Sequence, residues 1–349
     1  MPDVYKPNLD EFRELAAGDI NLIPVYREFA ADLETPVSVY LKLMDEMNPS
    51  FLLESVENGT QLGRYSFIGV NPRGMITLHG RTVTDKRHNH EKTFELPEGQ
   101  DILDVIKEDL ERFHPADVPN LPILRGGAVG YLGYDVVRDF ERLPNTATAV
   151  HTIPDAVFLL ADTFVVFDHV RHILMVIANA RVMSNGKPPD IAAAYVNAIQ
   201  EIERVAEKLL RPLPAVPRKR RRQRQPIDRA PKSNKGQHDY EKMVAAAKEY
   251  IAAGDIFQVV LSQRFERQTT AHPFTIYRAL RMLNPSPYMF YFDFGELDFQ
   301  VVGASPEIHV RLEDRTAQLR PIAGTRKRGQ SPEEDLALEK ELLADPKER

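Results

Sequence analysis

The sequence predicts an α+β fold in which helices cover antiparallel sheets that pack as a central sandwich. Several segments carry apolar residues at helical spacing, and others are short, rich in β-branched and aromatic residues and bounded by turns. The length of 349 residues predicts two domains, because a typical domain has roughly 150 residues. We expect the N-terminal and C-terminal regions each to contribute a sheet.

Residues 1–210 are predicted to form the N-terminal domain, which mixes helices with strands. Helices are predicted over Pro36–Met47 and Asp101–Phe113. The segments Ala156–Asp168 and His172–Ile177 are predicted to be strands, with a hairpin turn at Asp168 and His169 between them. A long helix over Ile191–Leu210 leads out of this region.

Residues 211–239 are predicted to be a linker, because prolines and basic residues interrupt any apolar periodicity there. Residues 218–224 are basic at six of seven positions, which is also a pattern of nucleic-acid binding. No aromatic residue lies within this run and prolines flank it, so a solvated linker is favoured over a nucleic-acid site.

Residues 240–349 are predicted to form the second domain. A helix is predicted to begin at a cap on Asp239 and to end at Gly254. Short strands are predicted next, as the start of a second antiparallel sheet. Their predicted limits are Ile256–Phe265, Tyr288–Phe292, Phe299–Val302 and Ile308–Leu312.

Composition excludes several kinds of chemistry. The chain has no cysteine, so disulfides, thiolate zinc sites, iron–sulfur clusters and cysteine nucleophiles are excluded within it. A formal charge of −6 gives no global attraction to nucleic acid or to an anionic membrane. No segment reaches the roughly 18 consecutive apolar residues of a membrane span, and we expect a cytoplasmic protein without nucleic-acid or membrane partners.

Three segments are candidate binding sites. In RPIAGTRKRG (320–329), Gly324 and Thr325 offer an N–H and a hydroxyl to an anion among basic neighbours; a polar turn is the alternative. In NPSPYMFYFD (284–293), prolines fix a turn beside an apolar wall of Tyr288 and Met289; a turn into a core strand is the alternative. No catalytic residue and no metal-ligand spacing emerges from the sequence.

The third segment is FLLESVENG (51–59), in which an apolar strand ends in Glu54 and Ser55. A carboxylate and a hydroxyl at that point could hold the ammonium group of an amino acid. Such pairs are also common in ordinary turns, so this signal is weak by itself.

Taken in order, these segments resemble anthranilate synthase component I among the chorismate-utilising enzymes. The resemblance implies the two-lobed architecture of that family and spans nearly the whole chain. The matching segments are LLESVE (52–57), RYSFIG (64–69), GGAVGYLGYD (126–135), GDIFQVVLSQRF (254–265), NPSPYMFYF (284–292), GASPE (303–307), RPIAGTRKRG (320–329) and ELLADPKER (341–349).

The resemblance implies a lyase reaction in tryptophan biosynthesis. Ammonia adds to the chorismate ring beside the carboxylate while the ring hydroxyl leaves, and pyruvate is then eliminated to give anthranilate. Isochorismate and salicylate synthases carry a lysine base at the position of Gln258, and aminodeoxychorismate synthases carry a lysine nucleophile at the position of Ala323. The alternatives are aminodeoxychorismate synthase component I and a non-catalytic tryptophan-binding module.

The family's ligand sites transfer to named positions. Gly324 and Thr325 match the chorismate-contacting pair. The tryptophan feedback site, expected between the two domains, matches Ser55, Pro287, Tyr288 and Met289, with Glu54 and Asn284 as neighbours. Ammonia is expected from glutamine through a separate amidotransferase subunit, because that enzyme needs a cysteine which this chain lacks.

Magnesium is the cofactor that the resemblance implies, bridging the substrate carboxylate and enzyme carboxylates. Its main ligands are expected beyond Arg349, and none is expected in this chain. The resemblance therefore implies that the chorismate-binding domain is incomplete here and that the 349-residue chain alone is inactive.

Overall fold

The computed structural model describes residues 4–45, 47–57, 61–88, 90–144, 146, 148–182, 190–214, 230–319 and 326–346. The chain divides into two compact units, one formed by Met1–Pro214 with Tyr277–Arg349 and the other by Ala215–Ile276. The predicted domain limits of 1–210 and 240–349, with a linker between them, stay a prediction.

Seven α-helices lie within the described residues. They are α1 Leu9–Leu15, α2 Pro36–Leu43, α3 Ile102–Glu111, α4 Ile191–Leu209, α5 Gln237–Ala253, α6 Pro273–Leu283 and α7 Pro332–Ala344. Asn8, Thr35 and Asp101 cap the first three, each accepting a hydrogen bond from the backbone N–H three residues later. In the part of the chain that the structure describes, no helix is both long and apolar enough to cross a membrane.

Every ladder between the described strands is antiparallel, which confirms the predicted fold class of mixed helices and antiparallel sheets. The strands are β1 Leu22–Ala30, β2 Ser50–Glu54, β3 Val56–Glu57, β4 Gln61–Leu62, β5 Tyr65–Val70, β6 Gly74–His79, β7 Thr82–Arg87, β8 His90–Glu95, β9 Gly127–Leu132, β10 Ala156–Ala161, β11 Thr163–Asp168, β12 Ile173–Arg181, β13 Lys232–Ser233, β14 Phe265–Glu266, β15 Tyr288–Asp293, β16 Gln300–Ser305, β17 Arg311–Glu313 and β18 Thr316–Gln318.

The larger sheet has seven strands in the order β1, β12, β11, β5, β2, β15 and β16. β15 and β16 therefore extend the sheet of the N-terminal strands, where the sequence had predicted the start of a second sheet. β15 pairs with β2, and the ring of Phe292 lies 6.0 Å from that of buried Phe51. The apolar residues of β15 are buried by joining an existing sheet edge, and a separate sheet is not needed to cover them.

The second sheet has five strands in the order β8, β7, β6, β10 and β9. Its apolar side chains form one cluster with Ile102 and Ile106 of α3. The strand predicted over 156–168 is divided between the two sheets: β10 belongs to this sheet and β11 to the larger one, with Asp162 between them. The carbonyl of Asp162 accepts hydrogen bonds from the backbone N–H (3.0 Å) and side-chain amide (3.2 Å) of Asn179, which holds the chain at this break.

Helix α4 packs against β12, β1, α1 and α2. The residues that it buries lie along one face of the helix: Tyr195, Ala198, Ile202, Val205 and Ala206. The ring of Tyr195 lies 5.0 Å from that of Phe12, and its hydroxyl donates to the carbonyl of Pro7 at 3.1 Å. The helix predicted over Ile191–Leu210 is confirmed, because its apolar stripe faces the sheet as the periodicity requires.

In the smaller unit, the predicted helix end at Gly254 is confirmed, with φ of 83° in the left-handed region that glycine favours. The helix starts before the predicted cap, since Gly236 is the N-cap and Asp239 lies in the first turn. The strand predicted over Ile256–Phe265 is wrong for most of its length. Of the residues in this predicted strand, all of which the structure describes, only Phe265 lies in a ladder, where β14 (Phe265–Glu266) pairs with β13 (Lys232–Ser233). The other residues have an apolar composition but no neighbouring strand to pair with, so they form no ladder.

Candidate functional site

The structure brings the two predicted halves of the tryptophan site together on neighbouring strands. Glu54 ends β2 and stands directly opposite Met289 of β15 in the antiparallel register. Ser55 follows Glu54 directly in the chain, and Tyr288 precedes Met289 directly. These residues come from positions more than two hundred apart in the sequence, and the sheet makes them neighbours.

Alternation along β15 gives its predicted site residues different environments. Met289 is 1% exposed and belongs to the core, whereas Tyr288 is 37% exposed at the start of the strand. Successive side chains of a strand point to opposite faces, so Tyr288 is open to a ligand while Met289 supports the wall from inside. Pro287 is half-buried in the turn before them.

Asn284 lies at the end of α6, where its backbone N–H donates to the carbonyl of Leu280 at 2.8 Å. Its side chain is exposed. The next polar residue of the turn, Ser286, is only 5% exposed and its hydroxyl donates to the carbonyl of Asn284 at 3.4 Å. The prolines on either side of Ser286 and this hydrogen bond give the turn a fixed shape.

Glu54 is fully engaged by the protein itself. Its side chain is 0% exposed, and Arg281 donates from Nε to one carboxylate oxygen at 3.0 Å and from Nη2 to the other at 3.1 Å. The hydroxyl of buried Tyr277 donates to the first of these oxygens. A carboxylate held in this way anchors β2 to α6. Direct capture of a ligand's ammonium by Glu54 would have to compete with Arg281 and Tyr277.

Gly63 lies directly against Ser55. The N–H of Gly63 donates to the carbonyl of Ser55 at 2.7 Å. A Cβ at position 63 would lie 2.6 Å from both the Cβ and the Oγ of Ser55, closer than real side chains approach. Glycine is therefore required at position 63 to leave room for the Ser55 hydroxyl.

His169 lies in the same region and was not identified from the sequence, where it was interpreted only as part of a turn. Its Nε2 is 2.8 Å from the hydroxyl of buried Ser66, and its ring stacks on Phe167 at 5.9 Å. Burial lowers the pKa of His169 although the charges of Glu54 and Asp168 act in the opposite direction. The sequence signal for His169 is its position directly after the apolar strand that ends in Asp168.

The predicted chorismate-contacting pair, Gly324 and Thr325, lies outside the described residues, as does Ala323. Two of the basic residues expected to raise the local potential are paired with carboxylates. Arg326 donates to Glu341 and Asp345 at 3.0 and 2.7 Å. An ion pair of 2.8 Å joins Arg328 and Asp335.

Gln258 is described and exposed, in the irregular segment after α5. A glutamine amide has no proton-accepting nitrogen at neutral pH, so this position does not supply a general base.

A cavity lies elsewhere in the larger unit. It has a volume of about 960 Å³ and contains Asp162 and Arg73 in its wall. Arg73 pairs with Asp109 and with Asp162, and Arg87 pairs with Asp109 and Asp85. These ion pairs hold the junction of the two sheets.

The chain matches the family of chorismate binding enzymes over residues 48–349. It therefore belongs to the chorismate binding enzyme family, in agreement with the order of its sequence motifs.

Within this family, several relatives that match over nearly the whole chain are named anthranilate synthase component 1. The protein of that name from Acetivibrio thermocellus is 42% identical over 348 residues, 99% of this chain and 68% of the relative. The one from Synechocystis sp. is 40% identical over 356 residues, again 99% of this chain and 68% of the relative. The chain thus spans about two thirds of the length of these relatives.

Two solved structures have a similar fold. The crystal structure of anthranilate synthase component I from Streptococcus pneumoniae has a TM-score of 0.62 and 28% sequence identity, covering 92% of this chain and 64% of that one. The menaquinone-specific isochorismate synthase from Escherichia coli has a TM-score of 0.53 at 17% identity, covering 97% of this chain and 64% of that one, and this likeness concerns the fold alone.

Proposed function

We propose that this protein acts as component I of anthranilate synthase, a lyase that converts chorismate and ammonia to anthranilate, pyruvate and water. The observation that carries the proposal is the 42% identity over 99% of the chain to a protein of that name. Gln258 and Ala323 support it as well, since neither side chain can act as the base or the covalent nucleophile of the sibling enzymes. Ammonia then attacks the ring directly.

The proposed source of ammonia is glutamine, hydrolysed by a separate amidotransferase subunit. The chain contains no cysteine, so it cannot itself supply the thiolate that such a reaction uses. The name component 1 of the relatives implies a second component in those proteins. The proposed assembly is therefore a hetero-oligomer, and free ammonium should replace the partner in an assay.

The magnesium ion implied by the resemblance finds no ligand set in the described part of the chain. No group of three or more histidine and acidic side chains there is arranged to hold a metal. Magnesium requires several oxygen ligands in octahedral geometry. The cofactor stays a prediction.

The proposed regulation is feedback inhibition by L-tryptophan, which would bind next to Ser55 and Tyr288. The adjacency of β2 and β15 supports this, because it places the two matched segments side by side. The same observation favours the alternative of a non-catalytic tryptophan-binding module, because both halves of this site lie among the described residues.

One assay separates the candidate functions. The protein is mixed with chorismate, ammonium chloride and magnesium chloride, and the products are identified by fluorescence and mass spectrometry. Anthranilate with pyruvate supports the proposed enzyme, whereas an aminated product that keeps the enolpyruvyl group supports aminodeoxychorismate synthase. No turnover together with tryptophan binding supports the binding module.

The regulatory site is tested by isothermal titration calorimetry with L-tryptophan. The Ser55→Ala variant removes the hydroxyl while keeping the backbone contacts to Gly63, and we expect it to weaken binding. Phenylalanine is the control ligand. Equal affinities of the wild type and Ser55→Ala would contradict the placement of the site at Ser55.

A further inference from the structure

The contact between Glu54 and α6 has the geometry of a rigid clamp. Arg281 offers two parallel N–H groups to the two oxygens of Glu54, at 3.0 and 3.1 Å. Tyr277 stands four residues earlier, on the same face of the helix, and its hydroxyl donates to the carboxylate too. Paired donors fix the direction of a carboxylate as well as its position.

Burial makes this clamp obligatory. The side chain of Glu54 is 0% exposed, and that of Arg281 is 29% exposed. A buried carboxylate that loses its cation remains without compensation, at a larger cost than the pair itself contributes. Burial and the neighbouring charge of Glu54 also raise the pKa of Tyr277 far above its usual value, so its hydroxyl stays protonated and remains a donor.

The clamp joins the two halves of the proposed tryptophan site at a second point. Glu54 is followed directly by Ser55, and Arg281 is followed after two residues by the turn that leads to Tyr288 and Met289. The β2–β15 ladder also joins these segments, through the pair of Glu54 and Met289. Ser55 and Tyr288 are thus the chain neighbours of the last ladder pair, and the clamp holds Glu54 of that pair.

We propose that Arg281, assisted by Tyr277, is a positioning residue for this site. It holds Glu54 so that Ser55 and Tyr288 keep the separation and direction that an aromatic amino acid needs, without itself contacting the ligand. This inference rests on the proposed function, because the ligand is L-tryptophan.

The central variant is Arg281→Leu, which removes both donors. Arg281→Lys is the milder variant, because it keeps the charge but cannot form the paired contact. Arg73→Leu is the matched control, since it removes a buried arginine that pairs with carboxylates elsewhere in the same unit. Two quantities are measured for each protein: affinity for L-tryptophan by calorimetry, and the methyl resonance of Met289 in ligand-free protein labelled with ¹³C-methyl methionine.

We expect Arg281→Leu to shift the Met289 resonance and to weaken tryptophan binding by about threefold to thirtyfold, in the range of indirect coupling effects. Arg281→Lys should show smaller changes in the same direction. Arg73→Leu should lower the melting temperature while it leaves the Met289 resonance and the affinity unchanged. Met289→Leu assigns the resonance.

Three results would overturn the proposal. The first is wild-type affinity in Arg281→Leu, and the second is weaker binding without a change at Met289, which would indicate direct contact with the ligand. The third is an equal loss of affinity in Arg73→Leu, which would indicate a general effect of stability. If the wild type binds no tryptophan, the proposed regulation fails. The Met289 resonance still tests the role of Arg281 in that case, because an unchanged resonance in Arg281→Leu would show that Arg281 does not position this part of the sheet.

Discussion

Asp162 and Asp168 lie at the two ends of β11, and their surroundings act on them in opposite ways. Burial raises the pKa of Asp162 although Arg181 and Arg73 act against it. Burial would also raise the pKa of Asp168, but hydrogen bonds from Arg64 and from the backbone outweigh it and the pKa lies below its usual value. The charge of Asp168 therefore stabilises the folded state, whereas the charge of Asp162 costs free energy.

The sign of each pKa shift predicts how stability depends on pH. The contribution of Asp168 is present above its unfolded pKa of about 3.8 and is lost as the pH falls through the lower folded value. Asp168→Asn removes an acceptor of Arg64 and should lower the free energy of unfolding at pH 7 by about 1–3 kcal/mol. The difference from the wild type should shrink below pH 4, as measured by urea denaturation at several pH values.

Asp162→Asn is the matched variant. The contribution of Asp162 is present below about pH 3.8 and is lost as the pH rises through its higher folded pKa. An amide does not ionise, so Asp162→Asn avoids the stability that the wild type loses when Asp162 becomes charged. Arg73 keeps Asp109 as a partner in this variant. We expect stability at pH 7 within about 1 kcal/mol of the wild type or above it. A larger loss in Asp162→Asn than in Asp168→Asn would contradict both assignments.

Glycines at two ladder positions make room for specific neighbours. A Cβ at Gly69 would lie 2.1 Å from the ring of Phe51, its partner on β2, and a Cβ at Gly130 would lie 1.8 Å from the carbonyl oxygen of Val157. The ring at Gly69 can move at the cost of core packing, whereas the backbone of β10 cannot move without breaking the ladder.

We therefore expect alanine to be tolerated differently at these two positions. Gly69→Ala should destabilise the protein by about 1–3 kcal/mol through overpacking of the core. Gly130→Ala should destabilise it more, because the ladder between β9 and β10 must separate. Thermal unfolding followed by circular dichroism measures the melting temperature of each variant, which should be lower for Gly130→Ala. Equal melting temperatures of the two variants would contradict this prediction.

At the scale of elements, α4 and α5 are helices of similar length with different surroundings. α4 has 19 residues and buries five of them against the larger sheet, whereas α5 has 17 residues and buries none. An isolated helix of this length is only marginally stable in water, and packing of an apolar face supplies most of a helix's stability. The two helices should therefore open with different free energies.

Amide hydrogen exchange measures this difference. We expect peptides from α5 to exchange well before peptides from α4 under native conditions, because opening α5 exposes little additional apolar surface. The central residues of each helix are the ones to compare, since helix ends fray in both. Slower exchange in α5 than in α4 would show that contacts of α5 stabilise it in solution.

At the scale of the whole molecule, large apolar side chains are open to solvent in both units. In the smaller unit, Phe257 is 94% exposed and Val260 is 82% exposed. In the larger unit, Leu312 and Leu319 are exposed as well. Exposed apolar surface of this kind favours association between molecules.

Polar substitution should therefore improve solubility without loss of stability. Phe257→Ser combined with Val260→Ser removes two side chains that make few buried contacts, so the free energy of unfolding should change by less than about 0.5 kcal/mol. Light scattering as a function of concentration should show less association. A large drop in melting temperature would show that these side chains are buried in solution.

The predictions from the sequence were best for helices. The stripes of α3 and α4 and the glycine end of α5 are visible in the sequence, because helical periodicity and capping are local. Strand predictions were weaker: 156–168 is two strands in two sheets, and most of 256–265 is not a strand. A strand is defined by its partner, and composition does not identify the partner.

The candidate site shows the same limit. The sequence placed Glu54, Ser55, Tyr288 and Met289 in one site only through a family resemblance. It gave no sign that Glu54 is held by Tyr277 and Arg281, which lie 223 and 227 positions away. Gly324 and Thr325 lie outside the described residues, so their predicted role stays a prediction.

The sequence by itself determined the fold class, the main helices, the absence of cysteine chemistry and the chorismate binding enzyme family. These follow from composition, local periodicity and the order of short motifs. The tertiary structure decided which strands pair and which cation holds Glu54. It also decided that the chain crosses from one sheet to the other at Asp162. Ladder pairing and the pairing of buried charges join residues far apart in the chain, and they are settled only when the whole sheet forms.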